Sequence, residues 1–480
     1  MTAISRRDVL KLGAAAGVAL ATGRTGATSQ VPGGPASRPK RVVVAGGGIG
    51  GLSCAYELVR RGHDVTVLEA AGRTGGHVRT IRDPLADGFY VDGGAEHFTR
   101  PGYEIFWGYV EEFGLTALPY RRRRQNMMRL VDGMLRTEEM LADPKVLAPL
   151  GFNQREIDFL AREPWWKLPE LYFAPYVDAF KDEYRPFDAG LNHLDAMTHT
   201  QLLQKDGASP GFIRFFGDAQ GSALHAVWHA ALLKLRGVPL VPPEVFRLEG
   251  GNSTLPEALT ARLGERVRLG CPVTGIERGE SGVRVRYREA GQDKTIDADW
   301  LVSAMSLWQL RQVPVTPAWP EARRVVVNLF PYYTASRPVF QSRTRFWEKD
   351  GASPNMILGE RTLEHTWRMG DDVETSRGLI VATARGFTKA EDALATFRRY
   401  YPGRSEDIEQ AFVIDWAQDP WAKACEPVQY PTGQLPRFWP KVIEPEGRIQ
   451  FVGAYADNLN WGMEAATRSA NRVAKAIDQA

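Results

Sequence analysis

The stretch RVVVAGGGIGGLSCAYELVRRGHDVTVLEA, residues 41–70, has the clearest structural pattern in the chain. It begins with an apolar, β-branched run, passes through a glycine turn into an amphipathic segment, and ends with a second β-branched run. Strand, helix and strand in this order make one βαβ unit, in which a helical crossover connects two parallel strands. The sequence therefore predicts an α/β fold that begins near Arg41.

The glycines of this unit have the spacing of a dinucleotide-binding turn. Gly46, Gly48 and Gly51 form GxGxxG directly after the first strand and at the start of the helix. Such a turn lets the backbone approach a pyrophosphate, whose charge meets the positive end of the helix dipole. Glu69 closes the second strand, where a carboxylate accepts hydrogen bonds from the hydroxyls of a ribose. The unit alone does not distinguish NAD from FAD.

The composition is that of a compactly folded globular protein. With 480 residues the chain is too long to fold around one ordinary hydrophobic core, so we expect two domains. The 60 basic and 57 acidic side chains leave a formal net charge of +3, which is too small to indicate a nucleic-acid partner. We interpret the densest basic run, Arg121 to Arg124, as a solvated face.

The N-terminus has the pattern of a twin-arginine export signal. Arg6 and Arg7 precede an apolar, alanine-rich stretch at 12–21, and residues 22–39 are rich in Gly, Thr, Ser and Pro. The apolar stretch is shorter than the roughly 20 residues that span a bilayer, so we expect no permanent membrane anchor. This pattern predicts the twin-arginine translocase as a partner and a periplasmic or extracellular location.

The predicted domains are interleaved along the chain. Residues 1–39 are the export signal and linker. The dinucleotide-binding domain is expected to be assembled from three segments, 40–100, 241–307 and 420–480. A substrate domain is expected from 101–240, which has helical periodicity and many aromatics, and from 308–419, which has the alternation of a mostly antiparallel sheet.

The residues after the βαβ unit resemble the flavin amine oxidase superfamily. EAAGRTGGH, residues 69–77, is similar to its second glycine motif, and further similar segments follow in the same order: DGFYVDGGAEHF, EGGNSTLPEALTARLG, RVRLGCPVTGIE, ADWLVSAM and RFWEKDG. The superfamily includes monoamine and L-amino-acid oxidases and phytoene-desaturase-like enzymes. The resemblance implies an FAD-binding Rossmann-type domain, with an interleaved α+β substrate domain and FAD as the cofactor.

By this resemblance, several groups of residues are expected to contact FAD: the two glycine motifs, the turn after the DGFYVDGG segment, one backbone position near the adenine, and the last strand and helix. These are Gly46, Gly48, Ile49, Gly50, Gly51, Glu69, Ala70, Arg73, Gly75, Gly76, His77, Gly94, Ala95, Val273, Gly453, Asp457, Trp461 and Met463.

The sequence departs from amine oxidases near the expected reaction centre. Arg337 stands where most members have a lysine, and an arginine is a planar, permanently charged fork. Glu426 and Gly462 replace the two tyrosines that sandwich the amine in monoamine oxidases. We name Arg337, His97, Glu426 and Trp461 as candidate catalytic residues, with Glu96 and His97 as a possible acid–base pair.

Cys425 falls where monoamine oxidases attach their flavin through a thioether. A free cysteine is more commonly a small buried hydrophobe. Because Glu426 replaces the adjoining aromatic residue, we expect FAD that is not covalently bound, while the covalent alternative stays open.

No metal is expected. His225 and His229 have the i, i+4 spacing that permits shared ligation, but the sequence offers no third ligand beside them, and histidines on an apolar helix are more often structural. The three cysteines, which are Cys54, Cys271 and Cys425, allow at most one disulfide.

The resemblance implies a C–N oxidation in a small-molecule amine or amino acid, by hydride transfer to flavin and reoxidation by oxygen or another acceptor. A first alternative is desaturation or isomerisation of a C–C bond in an apolar, carotenoid-like substrate, which would need neither the tyrosines nor the lysine. A second alternative is a flavin-binding protein without catalytic activity.

The export signal gives the first prediction. Replacing both Arg6 and Arg7 with lysine should leave folded, FAD-bound protein in the cytoplasm, because the pair acts as an address and contributes nothing to the core. Cell fractionation with absorbance spectroscopy measures both properties, and normal export of the variant would contradict the assignment.

Overall fold

The structure is a computed structural model that describes residues 38–120, 127–217, 219–240, 244–348, 353–425, 429–460 and 462–480. Four features named above lie outside these residues: the twin-arginine pair, the basic run from Arg121 to Arg124, Glu426 and Trp461. No helix within the described ranges is long and apolar enough to cross a membrane.

The strands of the described ranges are, in chain order, β1 Arg41–Ala45, β2 Asp64–Leu68, β3 Thr80–Ile81, β4 Val91–Asp92, β5 Phe98–Arg100, β6 Ala117–Pro119, β7 Met128–Val131, β8 Met134–Arg136, β9 Glu244–Leu248, β10 Val267–Arg268, β11 Val273–Arg278, β12 Val283–Glu289, β13 Gln292–Ala298, β14 Trp300–Ser303, β15 Val315–Thr316, β16 Ala335–Ser342, β17 Met356–Glu360, β18 Leu363–Met369, β19 Gly378–Arg385, β20 Ile408–Asp415 and β21 Ile449–Phe451.

The α-helices are α1 Ile49–Arg60, α2 Glu104–Glu112, α3 Pro144–Leu147, α4 Gln154–Leu160, α5 Glu170–Val177, α6 His199–Lys205, α7 Pro210–Phe216, α8 Ala223–Leu235, α9 Thr254–Leu263, α10 Leu307–Leu310, α11 Glu321–Leu329, α12 Ala390–Tyr400, α13 Leu435–Phe438 and α14 Gly462–Gln479. Short 3₁₀ turns connect many of these elements.

The predicted α/β fold is confirmed by a five-stranded parallel sheet with the order β10-β2-β1-β14-β21. Both faces of its central strand are buried, since Val42 and Val44 pack into one apolar cluster and Val43 and Ala45 into another. Helices α1, α9 and α14 cover the first face. Because the strands are parallel, their carboxyl ends all meet at one edge of the sheet, where ligands of such folds bind.

The rest of the fold is built on mixed and antiparallel sheets. The largest has seven strands in the order β20-β16-β19-β18-β17-β7-β8, a second has the order β13-β12-β11-β15, and a third has the order β5-β9-β6. Strand β16 lies in the interior of the seven-stranded sheet and pairs with β19 and β20. These two pairings fix the position of β16, which contains Arg337.

Residues 101–240 are not purely helical. Helices α2 to α8 lie there as expected, but β7 and β8 from the same segment form the edge of the seven-stranded sheet, and β7 pairs with β17 in parallel. The turn between β7 and β8 has Asp132 and Gly133 at φ 47° and 76°. An Asp-Gly pair between short apolar runs is a strong local signal for a two-residue hairpin. This hairpin could therefore have been predicted from the sequence.

The packing of the glycine turn gives a prediction with a matched control. A Cβ at Gly51 would lie 2.0 Å from the carbonyl oxygen of Gly46, whereas a Cβ at Gly108, also within a helix, would meet nothing within 4 Å. Gly51→Ala should therefore lower the stability by about 1–3 kcal/mol. Gly108→Ala should raise it by up to about 1 kcal/mol, because alanine is the better helix former. Thermal unfolding compares the two, and equal melting temperatures would contradict the packing.

Candidate functional site

A cavity of about 570 Å³ lies at the carboxyl edge of the five-stranded sheet. This volume falls within the roughly 300–1,000 Å³ that is typical of small-molecule sites. Of the expected FAD contacts that the structure describes, all line this cavity except Gly51 and Asp457. Two of the candidate catalytic residues, Arg337 and His97, line it as well, and so does Cys425, the possible site of flavin attachment.

The first wall of the cavity is the turn from β1 into α1. The amide of Gly46 donates to the carbonyl of Leu68 at 2.8 Å, which holds the turn against β2. Gly48 is the N-cap of α1. Because glycine has no side chain, it gives no capping hydrogen bond to the first backbone amides of the helix. Gly75 from the second glycine motif donates to the carbonyl of Gly47 at 2.8 Å. The two glycine motifs thus form one continuous backbone surface.

Glu69 lies at the end of β2 with both carboxylate oxygens engaged. Its Oε2 accepts from the amide of Gly47 at 2.6 Å and its Oε1 from the amide of Ala71 at 2.7 Å. Burial raises the pKa of Glu69, and these two backbone hydrogen bonds oppose the rise. The carboxylate is therefore held in one orientation and retains accepting lone pairs.

Arg73 and His77 form the part of the wall that follows the second glycine motif. Arg73 donates to the carbonyl of Gly76 at 2.9 Å and pairs with Asp419 at 3.4 Å. The His77 Nε2 atom lies 2.8 Å from the carbonyl of Ala422 and 4.0 Å from Cys425 Sγ. His77 thus links this wall to the segment that contains Cys425.

Arg337 on β16 holds a turn of the opposite wall. Its Nε donates to the carbonyl of Gly93 at 3.2 Å, its Nη2 to the carbonyl of Gly94 at 3.0 Å, and its Nη1 pairs with Glu96 at 3.1 Å. Burial lowers the pKa of the guanidinium. The planar fork therefore grips the turn and its following carboxylate in a way that a lysine ammonium could not reproduce.

The same wall contains the expected acid–base pair. The His97 Nδ1 atom lies 3.2 Å from Glu96 Oε1, so Glu96 stands between the imidazole and the guanidinium of Arg337. A Cβ at Gly94 would lie 1.9 Å from the carbonyl oxygen of His77. The turn can approach the second glycine motif only because this position is glycine.

The N-terminus of α14 closes the cavity beside the last strand. Met463 is buried and lines the cavity, and the amide of Gly453 donates to Ser469 Oγ at 3.0 Å. Glu464 accepts from the backbone amide of Phe106 at 2.9 Å, at the start of α2, and burial raises the pKa of Glu464 to about 7. This contact joins the beginnings of α14 and α2.

The structure also places residues in the cavity that the sequence did not indicate. Tyr103, just before α2, lines the cavity, and its hydroxyl lies 2.7 Å from the place of a Cβ at Gly462. Ala304, Met305 and Ser306 follow β14. The pattern of β14 predicts a strand, so its carboxyl end could have been assigned to the site edge. The place of Tyr103 in the cavity depends on a contact between segments that are distant in sequence, so the sequence alone does not predict it.

Asp457 is one of the expected cofactor contacts. It does not line the cavity but is fully buried behind α14, where it pairs with Arg468 Nε at 3.1 Å and accepts from the Tyr184 hydroxyl at 3.0 Å. A buried carboxylate needs such partners, and Arg468 on α14 supplies the opposite charge. Gly51 likewise packs α1 against the Gly46 carbonyl and does not line the cavity.

Within the described ranges, His, Cys, Asp and Glu side chains form no cluster of three or more that could hold a metal. His225 and His229 lie on α8, and burial lowers the pKa of His225 to about 3 and that of His229 to about 4. Both are therefore neutral at physiological pH.

Comparison with known proteins gives a family match over most of the chain. The family model for the flavin containing amine oxidoreductases matches residues 49–478. The L-amino-acid oxidase of Demansia vestigiata is 24% identical over 469 residues, which cover 92% of this chain and 88% of the relative. That of Bothrops pauloensis is 25% identical over 466 residues, which cover 92% and 90%.

Two solved structures share the fold. Cyclohexylamine oxidase from Brevibacterium oxydans IH-35A has a TM-score of 0.75 at 21% identity, covering 92% of this chain and 99% of that structure. Putrescine oxidase bound to putrescine has a TM-score of 0.76 at 20% identity, covering 92% and 100%. The α/β fold with its mixed second domain is therefore that of known amine oxidase structures.

Proposed function

Because this chain belongs to the flavin containing amine oxidoreductase family, we propose that it binds FAD in the cavity described above and oxidises a C–N bond of a small amine or amino acid. The observation that carries the proposal is the glycine surface at the start of α1 with Glu69 beside it. This arrangement has a place for a pyrophosphate and a place for a ribose, as FAD requires.

The residues present fit FAD on steric grounds. A Cβ at Gly48 would have no protein atom nearer than 4.0 Å, so the space above this glycine belongs to the cavity. The uncapped start of α1 provides backbone donors and a positive dipole end for the phosphates. The Glu69 carboxylate, fixed by Gly47 and Ala71, can accept from ribose hydroxyls. We assign these three features to the adenosine diphosphate half of FAD.

The remaining walls are assigned to the flavin ring and the substrate. Bound FAD would supply the acceptor for the hydride that leaves the carbon next to the substrate nitrogen. The start of α14 near Met463 offers backbone N–H groups and a positive dipole end, which favour negative charge beside them. Arg337 holds the Gly93–Gly94 turn in place. We assign to His97, oriented by Glu96, the uptake of a proton from the substrate ammonium.

The names of the relatives support a substrate with an amino group. The similar proteins include L-amino-acid oxidases, a cyclohexylamine oxidase and a putrescine oxidase. In this chain the charge of Arg337 is already paired with Glu96, and Tyr103 occupies the corner beside Gly462. We therefore propose a substrate whose amine lies between the flavin and the wall formed by Glu96, His97 and Tyr103.

We also propose that the protein is exported after folding. The twin-arginine pair at Arg6 and Arg7 supports this route, and so does the need to capture FAD where the cofactor is made. The mature protein would act in the periplasm or outside the cell.

An anaerobic substrate screen tests the reaction class. Amines, L-amino acids and polyenes are each added to the purified protein without oxygen, and the flavin absorption band is followed. Bleaching by an amine or amino acid is expected. Bleaching by polyenes alone would favour the carbon–carbon desaturase, and no bleaching by any of them would favour a flavin-binding protein without catalytic activity.

Two substitutions test the placement of FAD. Gly48→Val should abolish FAD retention, because the side chain would fill the space for the pyrophosphate, while its Cβ would come no closer than 4.0 Å to a protein atom. Glu69→Ala should weaken retention by roughly 1.5–3 kcal/mol, the value of a charge-assisted hydrogen bond. The ratio of flavin to protein absorbance after gel filtration measures both. Full occupancy in the two variants would show that FAD binds elsewhere.

Acid precipitation distinguishes a covalent flavin from a bound one. We expect the supernatant to take all the yellow colour, with Cys425 as a packing residue near His77. A precipitate that stays yellow, and that loses its colour to the supernatant in Cys425→Ala, would establish a thioether instead.

A further inference from the structure

Two large aromatic side chains lie at the opening of the cavity. Tyr333 and Trp421 both line it, and they are 47% and 41% exposed. A side chain that lines a cavity and still has almost half of its surface in solvent lies where the cavity opens. Of the large apolar side chains that are exposed within the described ranges, these two are the ones that line the cavity. Exposed aromatic rings beside a cavity are typical of a surface that binds an apolar group.

The backbone holds both rings in place at this opening. Tyr333 and Cys425 exchange two backbone hydrogen bonds, at 3.0 and 2.9 Å. The Trp421 amide donates to Asp419 Oδ1 at 2.9 Å, and Asp419 in turn pairs with Arg73 of the second glycine motif at 3.4 Å. The two rings are therefore attached to the walls of the cavity by their own backbone, which lowers the cost of ordering them around a substrate.

A row of side chains connects this opening with the proposed reaction centre. Tyr333, Ala335 and Arg337 alternate along the chain and all line the cavity, as expected for one face of an extended segment. Exposure falls along the row, since the side chain of Arg337, which pairs with Glu96, is only 14% exposed. A substrate whose amine lies near Glu96 would therefore extend its substituent towards Tyr333 and Trp421.

The charged side chains along this path are already paired with each other. Arg337 pairs with Glu96 at 3.1 Å and Arg73 with Asp419 at 3.4 Å, and all four line the cavity. Among the lining residues that the structure describes, no other arginine and no lysine is present. A substrate carboxylate would therefore enter without a counter-ion of its own, and burying an unpaired charge is costly.

We propose that Tyr333 and Trp421 bind the apolar substituent of an amine that has no carboxylate. This proposal rests on the proposed function, because it takes the amine to lie at Glu96 and His97. The two rings give an aryl or alkyl group apolar area to contact, while the paired charges offer nothing to an anionic group. Both residues thus determine specificity and take no part in the chemical step.

A matched pair of substrates tests the absence of a carboxylate. Phenethylamine and L-phenylalanine differ by that group alone, and kcat/KM should be higher for phenethylamine by about 100-fold or more, because the carboxylate finds no partner. Initial rates of flavin-dependent oxidation measure both values. An equal or higher value for L-phenylalanine would overturn the proposal.

Binding of compounds that cannot be oxidised separates specificity from reaction. Phentermine and α-methylphenylalanine have the same two skeletons but no hydrogen on the carbon beside the nitrogen. Calorimetric titration of the protein as purified should show tighter binding of phentermine. Equal binding of the two, or binding of neither, would overturn the proposed specificity. If phentermine binds more tightly but no amine or amino acid bleaches the flavin, the proposed reaction is refuted and the specificity stands.

A second pair distinguishes an apolar substituent from a charged one. Cadaverine differs from pentylamine by a second ammonium group, and aromatic faces also attract cations. Pentylamine should have the lower KM if the rings bind an apolar group. A lower KM for cadaverine would show that they bind a cation and would overturn the assignment.

Substitutions at the opening test the two residues directly. Tyr333→Ala and Trp421→Ala should each raise KM for phenethylamine by about tenfold more than KM for methylamine, which has no substituent to reach the rings. Tyr333→Phe and Trp421→Phe keep an aromatic ring and should restore most of the loss. The control is Phe387→Ala, since Phe387 is 59% exposed and does not line the cavity. Alanine variants with the same KM ratio as this control would overturn the proposal.

Discussion

The close approach of α1 to the end of β1 is the constraint on which the rest of the site depends. Gly51 allows the helix to begin against the carbonyl of Gly46, and this contact has no room for a Cβ. It sets the start of α1 at the carboxyl edge of the parallel sheet, with backbone amides facing the cavity. Glu69 and the second glycine motif are then attached to the same turn through Gly47.

The opposite wall contains the irregular turn at Gly93 and Gly94, which is held by a side chain. Arg337 does so by donating to the carbonyls of Gly93 and Gly94 and by pairing with Glu96. The guanidinium is buried, so its charge needs the carboxylate, and the carboxylate in turn orients His97. Arg337 thus has a structural task, which is to hold this turn and the carboxylate that follows it.

The sequence was informative where structure is determined locally. The βαβ unit, its glycines and Glu69 lie within 30 residues, and periodicity and turn chemistry are enough to place them together. The wall at Tyr103, Glu464 and Gly462 could not be predicted in this way, because α2 and α14 are far apart in sequence and meet only through tertiary packing. Asp457 is a second example of tertiary packing that the sequence does not reveal. Its position just after the last strand suggested a contact with the cofactor, whereas in the structure its carboxylate pairs with Arg468.

We propose that the edge of the first sheet holds FAD with its pyrophosphate at the start of α1. A crystal structure of the protein, purified with whatever cofactor it retains, is the decisive test of this placement. We expect pyrophosphate density against Gly48, ribose hydroxyls within hydrogen-bond distance of Glu69, and the flavin ring between the start of α14 and the Gly93–Gly94 turn. Density for a flavin at another place, or a cavity that stays empty when the crystals are grown with excess FAD, would contradict it.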